Sequence, residues 1–193
     1  MAEPATDPTA ETDGRRRRGR QRRQALVEAT RRLIGREGLS AVSQRAVAAE
    51  AGLPPSSVYY YFATIDDLVR AVLVDCNDRF LAALDALPTG PDAVRAIAEA
   101  TVGLVRGSRE DVLAELELWM QGARHPALRG EIDRWNAAVR RAATALTDDP
   151  VAIDAVVAAI NGWYWLATTT DDHPAEHLEA VLRHIVAGGP APA

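Results

Sequence analysis

Three consecutive tyrosines, Tyr59, Tyr60 and Tyr61, follow Pro55, Ser56, Ser57 and Val58 in a chain that has only four tyrosines. Serine and tyrosine hydroxyls each donate and accept hydrogen bonds, which suits phosphate oxygens and base edges. The rings add rigid apolar area for sugar and for the thymine methyl group. Upstream, Arg15–Arg23 holds seven arginines in nine residues, a stretch too charged to pack. It reads as a flexible arm, either entering a minor groove through residues such as Arg18 and Arg20 or remaining a solvated tail. The chemistry of both segments is reversible recognition of a polyanion.

One string points elsewhere. His173-Pro174-Ala175-Glu176-His177 matches the H-x-x-E-H pattern of zinc peptidases. That chemistry needs both imidazoles on one helical face. A proline at the first helical position would leave His173 outside the helix, and no third ligand stands in a suitable context. No metal, cofactor or catalytic residue is expected, and the chain does not read as an enzyme.

Charge divides the chain. Residues 1–14 hold four acids and no base. Residues 15–75 hold twelve arginines against six acids, and residues 76–193 hold ten against seventeen. The formal net charge of −5 therefore conceals a basic block beside an acidic one, so only the first is suited to a polyanion. Cys76 is the only cysteine, which excludes an internal disulfide and suits a reducing, cytoplasmic setting. The N-terminus opens polar without an apolar core, so no secretory signal is expected. No apolar run reaches the length of a membrane span.

The elements that would position these residues follow a helical period. Leu26, Ala29, Thr30, Leu33 and Ile34 recur at three- and four-residue steps, ending at Gly38. Ser43 suits the N-cap of a short second helix that closes at Gly52. Pro55 suits the first turn of a third, with Val58 and Phe62 inward and Pro55, Ser56 and Tyr60 outward. Thr64 can cap a fourth, with Leu68, Val72, Cys76, Phe80 and Leu84 on its apolar face. Further helices are predicted over 94–105, 112–123, 132–146, 153–166 and 178–186. No segment alternates like a strand. The expected fold is all-α, with about nine helices and a helix-turn-helix over 43–62.

The segment 20–73 resembles the DNA-binding domain of the TetR family of bacterial transcriptional regulators. The matching parts are the apolar helix 25–36, the Ser-led helix 43–52 ending in Ala-Gly, the helix 55–62 ending in Tyr-Tyr-Phe, and the start of the fourth helix at 65–68. Two positions depart from the family pattern. Ile65 stands where a phosphate-contacting lysine is usual, and Pro54 replaces a small hydroxylated cap. The resemblance implies DNA contacts at Ser43, Gln44 and Arg45, groove-facing Pro55, Ser56 and Tyr60, and phosphate contacts at Ser57, Tyr59 and Tyr61. Tyr59 is also readable as a core residue packed on the first helix.

It further implies a homodimeric regulator with a helical ligand-binding and dimerisation domain. The expected organisation is a disordered tail with basic arm over 1–19, a DNA-binding domain over 20–66, the second domain over 67–187 and a short tail over 188–193. Candidate ligand contacts are Trp119, Met120, Trp135, Asn161, Trp163 and Trp165, and each has an alternative role in the core. Asn161 also suits an interhelical hydrogen bond. Candidate dimer contacts are Val156, Ile160, Leu178, Val181, Leu182 and Ile185. The implied function is repression from a palindromic operator, released by a small molecule. Activation, co-repression and control without a small molecule stay open.

Overall fold

The computed structural model describes residues 8–170 and 174–188, and among them every regular element is helical. The first helix, α1 (Pro8–Glu37), is far longer than its apolar face requires. It carries the arginine run inside a helix, where a flexible arm was expected. The reason is local. Extending an existing helix costs no new nucleation, and Arg, Gln and Ala are good helix formers. Residues 1–7 and 189–193 of the two expected tails, and His173 of the H-x-x-E-H string, lie outside the described residues. Pro174 is the N-cap of the last helix, one position before the place expected for it.

Gly38 ends α1 at φ +85°, a conformation glycine adopts without strain, and its N–H donates to Ile34 O at 2.8 Å. A 3₁₀ turn at Leu39–Ala41 leads to α2 (Gln44–Glu50), whose N-cap Ser43 accepts from the Ala46 N–H at 3.2 Å. Gly52, at φ +63°, makes the turn into α3 (Pro55–Tyr61). Pro54 caps α3 through its carbonyl alone, which accepts from the Ser57 N–H at 2.9 Å. Thr64 and Asp67 form a reciprocal capping box at the start of α4 (Ile65–Asp85).

Two cores share α4. Its first half supplies Leu68, Val72 and Leu73 to a cluster with Leu26, Val47 and Val58. Its second half supplies Phe80 to a cluster built by α5 (Ala93–Gly107), α7 (Pro126–Thr144), α8 (Pro150–Thr169) and α9 (Ala175–Val186). Between them, α6 (Arg109–Gly122) places Ala114 and Leu118 in the first core. No linker therefore separates residues 66 and 67, where the domain boundary was expected. Helix α7 starts six residues before the position predicted from periodicity. Pro126 is tolerated in its first turn, and Leu128 is buried there.

Four of the six residues expected at a dimer surface lie elsewhere. Val156, Ile160, Leu178 and Leu182 are buried in the second core of this same chain. Helices α8 and α9 pack on α5 and on each other, so their strongest apolar stripe is consumed within the subunit. Val181 is exposed and Ile185 half-buried.

Candidate nucleic-acid interface and effector core

The helix-turn-helix is held on α1 by Glu50, the last residue of α2. Its carboxylate accepts from Arg32 Nε and from an Arg36 guanidinium nitrogen, each at 3.0 Å. The hydrogen bonds from Arg36 and then Arg32 keep the Glu50 carboxyl below its ordinary range. Val58 and Phe62 face inward as the spacing predicts, and they leave Pro55, Ser56, Tyr59 and Tyr60 of α3 to solvent.

Tyr60 is 81% exposed and Tyr59 65% exposed, so the reading of Tyr59 as a core residue is wrong. Ser43, Arg45, Pro55 and Ser56 are exposed, and Gln44, Ser57 and Tyr61 are half-buried. Tyr61 meets the Tyr60 ring edge-on at 4.8 Å. Its hydroxyl lies beside Gly19 of α1, 3.9 Å from where a Cβ would stand. The Arg23 guanidinium sits over the Phe62 ring at 4.9 Å. Arg18 and Arg20 are exposed on the same helix. The arginine run and the tyrosine helix are thus neighbours on one side of the molecule, which a flexible arm would not have secured. Ile65 packs half-buried against the first core, so this position serves packing in place of a phosphate contact.

The six candidate ligand residues do not line one cavity. Trp135 is buried and stacks on Phe80, with Trp119 edge-on to it at 4.5 Å. Asn161 accepts from the Trp135 indole N–H at 3.4 Å, an interhelical hydrogen bond between α7 and α8. Trp163 is half-buried against the second core. Met120 and Trp165 are exposed along a groove of about 600 Å³ between α1, α6 and α8.

Periodicity missed a polar cluster where the two cores meet. Arg31 of α1, Cys76 and Arg79 of α4, Asp111 and Glu115 of α6 and Tyr164 of α8 line a cavity of about 90 Å³ with Phe80, Leu104 and Val112. Arg31 pairs with Asp111, and Arg79 pairs with Asp75. Tyr164 donates its hydroxyl hydrogen to Glu115. Burial pushes the Glu115 carboxyl above its ordinary value, partly opposed by the hydrogen bond from Tyr164. Burial likewise pushes the Cys76 thiol and the Tyr164 phenol up. The available signal was Glu115 itself, an acid in helical step with apolar Val112, Leu118 and Trp119.

An exposed short helix carried by a helix-turn-helix, backed by a helical unit with its own core, defines a helix-turn-helix transcriptional regulator. Residues 26–72 match the domain described as bacterial regulatory proteins, tetR family, and residues 88–188 match the tetracyclin repressor-like C-terminal domain. The chain belongs to the TetR family. It is 28% identical over 117 residues to the HTH-type nicotine-responsive transcriptional repressor HdnoR of Paenarthrobacter nicotinovorans, covering 58% of this chain and 60% of that one. It is 30% identical over 112 residues to the HTH-type transcriptional regulator BetI of Rhizobium meliloti, covering 56% and 55%. The chain thus matches little more than half the length of these two relatives. The multidrug binding protein EbrR, in complex with ethidium, superposes with a TM-score of 0.68 at 33% identity, covering 85% of this chain and 98% of that one.

Proposed function

We propose that this regulator is a cytoplasmic homodimeric repressor that binds a palindromic operator and leaves it when a small molecule binds. The observation that carries the DNA reading is α3, whose Pro55, Ser56, Tyr59 and Tyr60 stand in solvent beside the exposed arginines of α1. Two such helices about 34–36 Å apart meet successive major grooves on one side of a duplex. Ser43, Gln44, Arg45, Ser57 and Tyr61 flank that surface and supply contacts to phosphate. An exposed strip on α8, Val151, Ala158, Gly162, Trp165 and Leu166, with Val181 of α9, supports pairing of subunits. Its small residues let a second helix approach closely, and its apolar ends are costly to leave in water.

The named complex of EbrR with ethidium and the nicotine response in the name of HdnoR support an effector. A ligand that prefers a different spacing of the two DNA-binding domains shifts the population away from the operator. The size of the central cavity favours a second reading, control by a protein partner without a small molecule. Ligand pockets commonly measure about 300–1,000 Å³, and this one has about 90 Å³. Selection from random duplexes followed by sequencing tests the DNA reading. A recovered palindrome is expected; recovery of unrelated sequences at every salt concentration rejects it.

A further inference from the structure

One glycine stands inside the arginine run of α1. Gly19 has Arg15 and Arg16 before it and Arg22 and Arg23 after it, each three or four residues away. Those are the helical steps that share a face, so four arginines start from one side of α1, around a position without a side chain. Arg17 and Gln21, two residues from Gly19, start from the opposite side. The arrangement is costly, because glycine weakens a helix interior and like charges at such steps repel. Nothing within the subunit requires it: a Cβ at Gly19 would meet only the Tyr61 hydroxyl, at an ordinary 3.9 Å. Arg31, Arg32 and Arg36 of the same helix are ion-paired. Arg16 and Arg22 are exposed and pair with no carboxylate among the described residues.

We propose that Gly19 marks the seat of a DNA backbone phosphate, held by Arg16 and Arg22 of α1 and by the Tyr61 hydroxyl that follows the groove-facing part of α3. The inference rests on the reading of α3 as the helix that meets DNA, and adds where the flanking strand runs. Without a Cβ at position 19, a phosphate oxygen can approach the helix surface and accept from the Tyr61 hydroxyl. Arg23 is held over the Phe62 ring and adds charge beside the seat. The start of α4, which follows α3 directly, is less suited. A helix start attracts anions, but the first turn of α4 already carries Asp66 and Asp67, and Ile65 packs against the core. The cleft of about 450 Å³ between α1 and α4 is lined by Arg23 and Arg70 but also by Asp67, Asp75 and Asp78, so its sign is mixed. The strand next to α3 therefore lies along α1, and the helical arginine run lengthens the footprint of each subunit on the duplex. Phosphate contacts carry no sequence information, so this surface adds affinity and salt dependence without narrowing the choice of operator.

The test uses the full chain and a labelled duplex of arbitrary sequence, about 30 base pairs long, because phosphate contacts do not depend on the operator. Fluorescence anisotropy is followed at several salt concentrations. Arg16→Gln and Arg22→Gln are each expected to weaken binding about fivefold and to flatten its salt dependence. Arg17→Gln removes the same charge from the opposite side and is expected to change affinity by less than about twofold. Tyr61→Phe is expected to cost about fivefold. Gly19→Leu covers the seat with a good helix former, so it is expected to unfold at or above the wild-type temperature while losing about tenfold in affinity. In that background Tyr61→Phe is expected to have no further effect, because the phosphate is already excluded. Equal losses at Arg16, Arg17 and Arg22 overturn the proposal, since they describe diffuse charge without a seat. So does wild-type affinity in Gly19→Leu, or in Tyr61→Phe, which leaves α1 untouched. The two readings are separable. Duplex binding indifferent to Gly19, Arg16 and Arg22 leaves the DNA reading standing and overturns the seat alone. A wild-type chain that binds no duplex even at low salt rejects both.

Discussion

Glu117 of α6 accepts the backbone N–H of Leu39 at 2.7 Å. Leu39 opens the 3₁₀ turn between α1 and α2, just past Gly38. The carboxylate of a helix in the second unit therefore caps the turn that sets the angle of the DNA-binding helices. Removing it leaves a part-buried donor without this partner. Glu117→Ala is expected to lower stability by about 1–2 kcal/mol and to weaken any link between ligand and operator binding. Glu117→Gln, which keeps a carbonyl acceptor, restores most of both. Thermal unfolding with and without ligand, beside operator titration, checks this.

The same junction is tight one turn earlier. A Cβ on Gly35 would stand 2.6 Å from the Glu110 carbonyl carbon and 2.9 Å from its Cα, both backbone atoms. Gly35→Ala must push α1 and α6 apart, at a cost of ~1–3 kcal/mol. Gly103 of α5 has nothing within 4 Å, so Gly103→Ala is expected to be neutral or stabilising by ~0.5–1 kcal/mol. Chemical denaturation of the two variants reads the contrast.

Tyr60 supports almost nothing within the subunit, being 81% exposed. Tyr60→Ala is expected to leave stability within ~0.5 kcal/mol and to weaken specific operator binding by ~1–3 kcal/mol. Equal affinity and equal sequence preference in a mobility-shift series would remove Tyr60 from the DNA contacts.

Deleting residues 1–19 removes Arg15–Arg18 from the exposed side of α1. Each lost phosphate contact flattens the dependence of log K on log salt by ~0.9. A shallower slope and lower affinity are expected from fluorescence anisotropy at several salt concentrations. An unchanged slope would show that the helical extension stays off the DNA.

Glu115 also predicts a pH dependence with a definite sign. Its carboxyl is raised in the folded protein, so between the ordinary carboxylate value and the raised one the folded state binds more protons than the unfolded state. Stability from this group is full below the ordinary value, about 4.3, and falls as pH rises through the window above it. Glu50 works in the opposite direction, because Arg36 and Arg32 hold its carboxyl low. The difference between wild-type and Glu115→Gln unfolding, followed against pH, isolates the first effect. A flat difference would show that Glu115 is not buried as described.

The helices, their caps at Ser43 and Thr64, and the outward face of Pro55, Ser56 and Tyr60 were legible in the sequence. Those features depend on neighbours three or four residues away, within the reach of a periodic pattern. The same locality explains the errors. An apolar stripe states that a face is covered but not by what: the stripe of Val156, Ile160, Leu178 and Leu182 predicts an interface, whereas their own subunit covers it. The arginine run predicts a flexible arm because it has no apolar face, whereas the frame of α1 carries the helix through it.

Sequence alone determined the all-helical class, the helix-turn-helix and the family. Tertiary structure alone decided which residues share a space. Arg31, Cys76, Asp111, Glu115 and Tyr164 come from four helices and span 133 positions from first to last, so no local spacing joins them. Burial gives that group its chemistry: the raised proton affinity of Glu115 comes from leaving water, and only the packed helices remove the water.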